Sequence, residues 1–223
     1  SVSLTWLDGR KMDISSDGDM SLRHALIRPD GSVQDETELD GRVCECCQTS
    51  AAPIPGGQLL VYRDRSQDET RDISILSYRH GVWSSPKNLS NDGWEIKMCP
   101  VNGPSISTSG KDVAVSWFTG ANEEPSVWLV FSDDAGETFG TPFRVDDGRP
   151  LGRVETLVLP SSVFVVWMEQ TDIAAEVRLK QFDHIGSVIG FWTVANNSKE
   201  RSSGFPQLAG SPKRLVLAWT EAG

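Results

Sequence analysis

Residues 113–139, VAVSWFTGANEEPSVWLVFSDDAGETF, decide the fold. The stretch opens on a β-rich run that ends in Trp117, turns at residues 119–122 and continues as a second β-rich run at 126–131. The residues that follow, 134–136, are of the types that form tight hairpins. Apolar residues recur along the chain in short runs of this kind, and no segment shows sustained helical periodicity. The sequence therefore predicts an all-β fold.

Four other segments repeat the run that ends in Trp117, and each also closes on an aromatic residue. The five runs are VSLTW (2–6), LLVY (59–62), VAVSW (113–117), VFVVW (163–167) and LVLAW (215–219). Their closing aromatics are 56, 55, 50 and 52 residues apart. A period near 50 residues is typical of a four-stranded propeller blade, whereas the strands of a β-sandwich recur about every 8–12 residues. A β-propeller is therefore predicted, with a β-sandwich as the alternative.

Turn residues divide each repeat into four short antiparallel strands. The strands are expected at 48–54, 59–62, 72–78 and 82–89 in the second repeat, at 103–107, 113–118, 126–131 and 139–145 in the third, and at 154–159, 163–169, 175–182 and 191–194 in the fourth. We expect one propeller over residues 1–223, with repeats at about 1–45, 46–98, 99–150, 151–203 and 204–223. That is about four blades and a fraction.

Both ends of the chain contribute a second strand. A ring closes by pairing strands from its two ends, because an open sheet edge invites aggregation. The expectation is therefore a fragment of a six-bladed ring, or a ring that another chain completes by self-association.

The hairpin SDDAGETF lies between the third and fourth strands of the third repeat. Its Ser132, Asp134, Gly136, Thr138 and Phe139 match the pattern S-x-D-x-G-x-T-[FW]. The segment resembles the Asp box, the bacterial neuraminidase (BNR) repeat of sialidases and related propellers. In such a hairpin the glycine permits the turn, the serine and aspartate hydrogen-bond its backbone, and the aromatic residue fills the blade. The resemblance implies a structural role on the face opposite a sialidase active site, so activity must be sought elsewhere.

Composition and charge narrow the classes of partner. A hydrophobic content of 38% with eight tryptophans excludes a disordered chain. The net charge of −10 gives nucleic-acid binding no electrostatic support. No apolar run approaches the roughly 18 residues that a membrane span requires. The expected partner is instead an anionic carbohydrate or another small acidic ligand, because several arginines lie in the loops of the predicted ligand face.

The resemblance implies a ligand face built from the loops between blades and from the loops between second and third strands. These loops are 40–50, 63–72, 91–104 and 146–156. Two of them hold the four cysteines, Cys44, Cys46, Cys47 and Cys99. Because both loops lead into innermost strands of neighbouring blades, Cys99 is expected to approach the other three.

Three chemistries remain open for these cysteines: disulfides, a thiolate site for copper or zinc, and unpaired buried thiols. The spacing C-x-C-C is not that of a standard zinc knuckle, and the adjacent Cys46 and Cys47 are not expected to pair with each other.

Arginines form a second set in the predicted face loops. Guanidinium groups bind carboxylates through two parallel hydrogen bonds, as recognition of an acidic sugar requires. The candidate ligand-binding residues are Arg63, Arg65, Arg71, Arg149 and Arg153. The alternative is that each arginine pairs with an acidic residue of its own loop.

Sialidases hold the substrate carboxylate with three arginines and use a Glu-activated tyrosine as nucleophile and an aspartate as acid/base. This set does not transfer to the chain, which has no Arg-Ile-Pro motif near its start and only Tyr62 and Tyr78 as tyrosines. Tyr62 fits the core aromatic of its repeat. Whether the chain is an enzyme stays open, and glycosidase chemistry would need two carboxylates. The candidates are Asp64, Asp72, Glu95 and Glu155.

The segments RVCECCQTSAA (42–52), YRDR (62–65) and CPVNGP (99–104) resemble exported bacterial sialidase-like proteins with a CxCC motif. That resemblance implies a periplasmic or extracellular location. Three functions are consistent with the sequence. The first is a sialidase-like propeller that binds, and as an enzyme would hydrolyse, an anionic glycan at a face lined by arginine and cysteine. The second is a copper or zinc thiolate module, and the third is an interaction scaffold whose loops are stapled by disulfides.

Overall fold

The computed structural model describes residues 1–12 and 18–221. The described residues form five antiparallel sheets, each made of strands consecutive in sequence. The strands are β1 (Val2–Asp8), β2 (Ser21–Ile27), β3 (Val33–Asp40), β4 (Ser50–Ile54), β5 (Gly57–Arg63), β6 (Ile73–Arg79), β7 (Val82–Trp83), β8 (Lys87–Asn88), β9 (Ser105–Ser109), β10 (Asp112–Thr119), β11 (Ser126–Ser132), β12 (Phe143–Arg144), β13 (Pro150–Leu159), β14 (Ser162–Gln170), β15 (Ala175–Phe182), β16 (Val188–Asn197), β17 (Gln207–Ser211) and β18 (Arg214–Ala218). Two short 3-10 helices lie at Ala121–Glu123 and Arg201–Ser203.

The sheets follow the meander order of propeller blades. Strands β9 to β12 and β13 to β16 each form a four-stranded sheet, and β4 to β7 do the same, with β8 as a further partner of β6. A three-stranded sheet, β1 to β3, precedes them and a two-stranded sheet, β17 and β18, follows. The predicted all-β propeller of four-stranded antiparallel blades is confirmed.

Small polar side chains on the innermost strands join one blade to the next. Ser50 on β4 accepts a hydrogen bond from the backbone of Ile106 on β9, at 3.2 Å. Ser105 and Ser107 on β9 accept from the backbone of Thr156 and Val158 on β13, both at 2.9 Å. Neighbouring inner strands belong to different sheets and share no ladder, so these hydroxyl groups satisfy backbone groups that would otherwise be buried and unpaired.

Apolar side chains of the second strands fill the space between blades. Leu59 and Val61 face the third blade with Trp117, whereas Leu60 and Tyr62 face the first sheet. The alternation follows from the two-residue period of a strand, which sends successive side chains to opposite faces. Three of the five closing aromatics, Tyr62, Trp117 and Trp167, are at most 1% exposed. The repeated aromatic is thus a core residue in the three four-stranded blades.

The outermost strands differ from the sequence-based expectation. The strand predicted at 139–145 is reduced to Phe143–Arg144, and the one predicted at 82–89 is split into Val82–Trp83 and Lys87–Asn88. Pro142 and Pro86 lie in the missing parts, and proline cannot donate a ladder hydrogen bond. The strand predicted at 191–194 is longer, Val188–Asn197, because its pairing with β15 extends in both directions, through two shifts of register.

The innermost strand of the fourth blade also begins earlier than predicted, at Pro150 rather than residue 154. Its pairing with β14 shifts register twice, between Pro150 and Glu155. Within this bulge Gly152 and Arg153 both adopt positive φ, 79° and 57°. The connection before β13 is therefore shorter than the predicted loop at 146–156.

The SDDAGETF hairpin is closed by its own side chains. Ser132 Oγ accepts from the backbone N–H of Gly136 at 2.9 Å, and Asp134 accepts from the Thr138 hydroxyl at 2.6 Å and from its backbone N–H at 3.0 Å. These hydrogen bonds, led by the Thr138 hydroxyl, lower the pKa of Asp134. Gly136 has φ of 80°, and Phe139 packs on the core between the second and third blades.

Within the described part of the chain, no helix has the length and apolar character needed to cross a bilayer.

Candidate metal centre

Two loops meet beside the ends of the second and third blades. The first leaves β3 and carries three cysteines; its Cys44 backbone N–H donates to the carbonyl of Arg63, at the end of β5, at 3.0 Å. Gln48 then binds the second loop, accepting from the backbone N–H of Gly103 at 3.0 Å. A Cβ at position 103 would lie 1.9 Å from the Gln48 carbonyl oxygen, so only glycine allows this approach. The two cysteine loops are thus joined by the Gln48 side chain and by a close approach of their backbones.

All four cysteine sulfurs converge where the loops meet. The Sγ atoms of Cys44, Cys46, Cys47 and Cys99 lie within 4.8 Å of one another. Cys44 and Cys47 are buried, at 0% and 1% exposure, whereas Cys46 and Cys99 are half-buried. The cluster therefore has an inner pair and an outer pair.

Two bonding states suit this arrangement. Cα–Cα separations of 5.6 Å for Cys44 and Cys47 and 6.2 Å for Cys46 and Cys99 fall within the disulfide range, and these are the pairs that the structure joins. A four-thiolate metal site with bonds of about 2.3 Å needs the same convergence of sulfurs. The adjacent Cys46 and Cys47 are not paired with each other, as expected.

Arg71 links the two cysteine loops. Its side chain is fully buried, and its guanidinium donates to the Glu45 carboxylate in the first loop at 2.8 Å and to the Ile96 carbonyl in the second loop at 3.0 Å. The same group lies 3.4 Å from Cys44 Sγ. A fixed positive charge against this sulfur stabilises electron density on it, whether it is a metal-bound thiolate or a transient thiolate.

Glu69 accepts hydrogen bonds from three arginines, one of which is Arg71. It accepts a hydrogen bond from Arg71 at 3.0 Å, two from the Nε of Arg65 at 3.0 and 3.1 Å, and one from Arg42 at 2.8 Å. The hydrogen bonds from Arg65 and then Arg71 lower the pKa of Glu69 to about 2. Two of the candidate ligand arginines are therefore engaged with acidic neighbours.

Arg63 is buried in the core and hydrogen-bonds backbone carbonyls of the segments around the site. Its guanidinium donates to the carbonyl of Asn102 at 2.7 Å and to those of Arg71 and Phe118, and it stacks 4.9 Å from the Trp94 ring. Burial lowers its pKa to about 9. Its contacts are with backbone and an aromatic face, which gives it a structural role.

The other two candidate arginines lie in the fourth blade. Arg149 is exposed and pairs with Asp172 at 2.7 Å. Arg153 is buried, and the partners of its guanidinium are the Ser203 hydroxyl and the carbonyls of Lys199, Glu200 and Gly204. The structure thus does not gather the five candidate arginines around one point; Arg71 contacts Cys44, Arg65 binds Glu69 beside it, and Arg153 lies elsewhere on the face.

The four candidate carboxylates do not all lie together either. Asp64 and Asp72 lie at facing ends of one loop, where the Asp64 N–H donates to the Asp72 carbonyl at 2.9 Å. Burial raises the pKa of Asp64, and Asp72 accepts from the backbone N–H groups of Gly93 and Trp94. Glu95 is exposed. Glu155 lies on β13 of the fourth blade, where burial raises its pKa to about 7.

Tyr62 does not have the environment of an activated nucleophile. It is fully buried, and its hydroxyl donates to Asp40 at 2.5 Å. Burial and the Asp40 charge raise its pKa, the opposite of what deprotonation requires. This agrees with its predicted place as the core aromatic of the second repeat.

Sequence reasoning did not find two of the residues that build the site. Glu45 lies between the cysteines and receives the Arg71 hydrogen bond. Asn102 accepts from the Arg153 N–H at 2.7 Å and donates to the Leu151 carbonyl at 3.2 Å, so it joins the second cysteine loop to the bulge in β13. No spacing rule marks a residue whose role depends on a neighbouring blade.

No known family model matches the chain, and no curated protein matches its sequence. Among solved structures, it is similar to a K499G mutant of NanB sialidase from Streptococcus pneumoniae, with a TM-score of 0.49 and 9% identity over 91% of this chain and 33% of that one. It is also similar to a putative glycoside hydrolase from Parabacteroides distasonis, with a TM-score of 0.47 and 11% identity over 93% of this chain and 77% of that one.

A glycosyl hydrolase from Bacteroides ovatus is similar at a TM-score of 0.45 and 13% identity, over 93% of this chain and 75% of that one. The chain spans about a third of the length of the Streptococcus protein.

Proposed function

We propose that the chain is a propeller module that binds a soft metal ion, Cu(I) or Zn²⁺, through Cys44, Cys46, Cys47 and Cys99. The observation that carries the proposal is the convergence of all four sulfurs within 4.8 Å at the junction of two blade-connecting loops. Thiolates select copper(I) and zinc over hard ions such as Mg²⁺ or Ca²⁺.

The surroundings of the cluster support a thiolate site. The Gln48 side-chain oxygen accepts a hydrogen bond from the Gly103 N–H and so holds the two loops together. Arg71 places a buried positive charge beside Cys44 and ties that sulfur to Glu45 and Ile96. Metal-binding side chains are commonly oriented by such outer partners, whose loss lowers metal affinity by about 10- to 100-fold.

The competing hypothesis is a scaffold whose loops are stapled by disulfides, Cys44 to Cys47 and Cys46 to Cys99. The Cα separations admit this pairing. Either state agrees with a periplasmic or extracellular location, where an unprotected thiol pair would oxidise. The location remains part of the proposal.

The anionic-glycan hypothesis remains a prediction for the same face, with hydrolysis open. The contacts of Arg63, Arg65 and Arg71 with carbonyls and with Glu69 weigh against it at those three positions. Completion of the ring by self-association also remains a prediction.

The test is metal binding by the reduced chain and by Cys99→Ser. Cys99 is half-buried and is the only cysteine of the second loop, so its loss should leave three thiolates and lower the affinity for Zn²⁺ at least tenfold. Titration against a chromophoric chelator under anaerobic conditions measures this. Lys97→Gln, an exposed position in the same loop, is the control and should bind like the parent chain. Equal zinc affinity in Cys99→Ser and the parent would refute the proposal.

A further inference from the structure

A cavity of about 220 Å³ opens beside the second cysteine loop. Three successive blade entries supply its walls: Pro100, Val101 and Asn102 in the first, Leu151 and Arg153 in the second, and Lys199, Arg201 and Phe205 in the third. These segments precede or begin the innermost strands β9, β13 and β17, so the cavity lies on the same face as the cysteine loops. The described cysteines do not line it.

The cavity is cationic in an acidic chain. Arg153, Lys199 and Arg201 line it, and no acidic side chain of residues 1–12 and 18–221 does. None of the three takes part in a salt bridge among the described residues. The protein has a net charge of −10, so three neighbouring cations without an ion-pair partner form a local excess of positive charge. A bound anion would neutralise this charge.

Arg153 is the strongest evidence for a ligand. It is 8% exposed, and the four hydrogen bonds of its Nη1 and Nη2 go to a hydroxyl and to carbonyl oxygens. Burial and then the charge of Arg201 lower its pKa, so the surroundings oppose the charge. These acceptors satisfy the Nη hydrogens but do not neutralise the charge, and no acidic side chain among the described residues pairs with it, so Arg153 would attract an anion through its charge while Lys199 and Arg201 donate the hydrogen bonds.

Backbone strain coincides with the cavity. Val101 and Arg153 both line it and both adopt positive φ, 52° and 57°. A β-branched residue rarely takes this conformation, and such strain is concentrated at binding sites. Asn102 fixes the two strained segments together, accepting from the Arg153 N–H at 2.7 Å and donating to the Pro100 and Leu151 carbonyls at 3.3 and 3.2 Å.

We propose that this cavity binds a small oxyanion of the phosphate or carboxylate class, with Arg153 at its base and Lys199 and Arg201 at its rim. A volume of about 220 Å³ suits a single small anion with some water and is below the usual size of a site for a drug-sized ligand. Guanidinium and ammonium groups bind both kinds of oxyanion by charge-assisted hydrogen bonds. The site does not depend on a metal at the cysteine cluster.

The test is calorimetric titration of the chain with inorganic phosphate, sulfate and acetate at low ionic strength. Removal of Arg153 would also break its contacts with residues 199–204, so the rim residues, half-buried Lys199 and exposed Arg201, are the better targets. The double variant Lys199→Gln/Arg201→Gln should weaken anion binding about tenfold or more, because charged hydrogen bonds are each worth about that factor. Arg28→Gln, an exposed arginine of the first sheet, is the control and should bind like the parent.

Tighter binding of phosphate and sulfate than of acetate would assign the site to phosphate-type ligands, and the reverse order to carboxylates. Both outcomes support an oxyanion site. The same titration of the parent chain with and without a metal chelator should give unchanged anion affinity, which separates this site from the metal proposal. Absence of binding at millimolar anion, or equal binding by the double variant and the parent, would overturn the inference.

Discussion

Glu155→Gln should stabilise the protein at neutral pH and leave it unchanged in acid. Burial raises the pKa of Glu155 from 4.5 to about 7. The folded chain therefore keeps a proton that the unfolded chain has released, and the stability contributed by Glu155 is full below about pH 4.5 and falls as the pH rises to about 7. One pKa unit corresponds to about 1.4 kcal/mol, so the loss is about 3 kcal/mol, or about 2 kcal/mol after allowance for partial exposure. Glutamine is neutral throughout and removes this penalty.

Urea unfolding of Glu155→Gln and the parent at each pH from 4 to 8 measures the effect. The difference in free energy of unfolding should be near zero at pH 4 and grow to about 2–3 kcal/mol in favour of the variant at pH 8. Subtraction of the parent removes the contribution of the other carboxylates, and Glu95→Gln, at an exposed position, controls for loss of one negative charge. A difference that is constant with pH, or one in favour of the parent at pH 8, would show that burial of Glu155 does not oppose its charge.

Two further outcomes test the hairpin and the core. Gly136→Ala should destabilise the chain by about 1–3 kcal/mol more than Gly56→Ala. Both glycines have φ near 80°, but of the two only a Cβ at position 136 would meet a side chain, 2.6 Å from Leu59 Cδ1. Equal thermal unfolding temperatures of the two variants would contradict the steric argument. Tyr62→Phe should cost about 1–2 kcal/mol in chemical unfolding, because it removes the hydroxyl that donates to Asp40, and an unchanged midpoint would show that this hydrogen bond adds no stability.

The strands that bury apolar residues could be predicted from the sequence, and those that bury none could not. Residues 113–118 and 163–169 were expected as second strands, and they lie within Asp112–Thr119 and Ser162–Gln170. Their apolar runs allow little else, since such side chains must face a core on both sides. The outermost strands bury few such residues, since even the apolar side chains of β16, Val188, Ile189, Phe191, Trp192 and Val194, are exposed, so their limits depend on proline positions and on partner strands. The bulge at Gly152 and Arg153 left no periodic signal either.

The position of the cysteine cluster could be predicted from the sequence, whereas the partners of its arginines could not. The expectation that Cys99 approaches the other cysteines rested on the order of blades, and the structure places all four sulfurs together. The partners of Arg63 and Arg71 were not predictable, because the carbonyls of Asn102, Phe118 and Ile96 come from segments distant in sequence. A guanidinium in a face loop looks the same in a sequence whether it binds a ligand or holds two loops together.

The most direct test of the metal proposal is elemental analysis of the purified chain, with thiols counted on the same sample after denaturation and chelation. The account predicts about one Cu or Zn per chain, or a small whole number of Cu, and four thiols once the metal is removed, since the chain has four cysteines. No bound metal together with no titratable thiol would contradict it. The cluster would then be a pair of disulfides that staples the two loops.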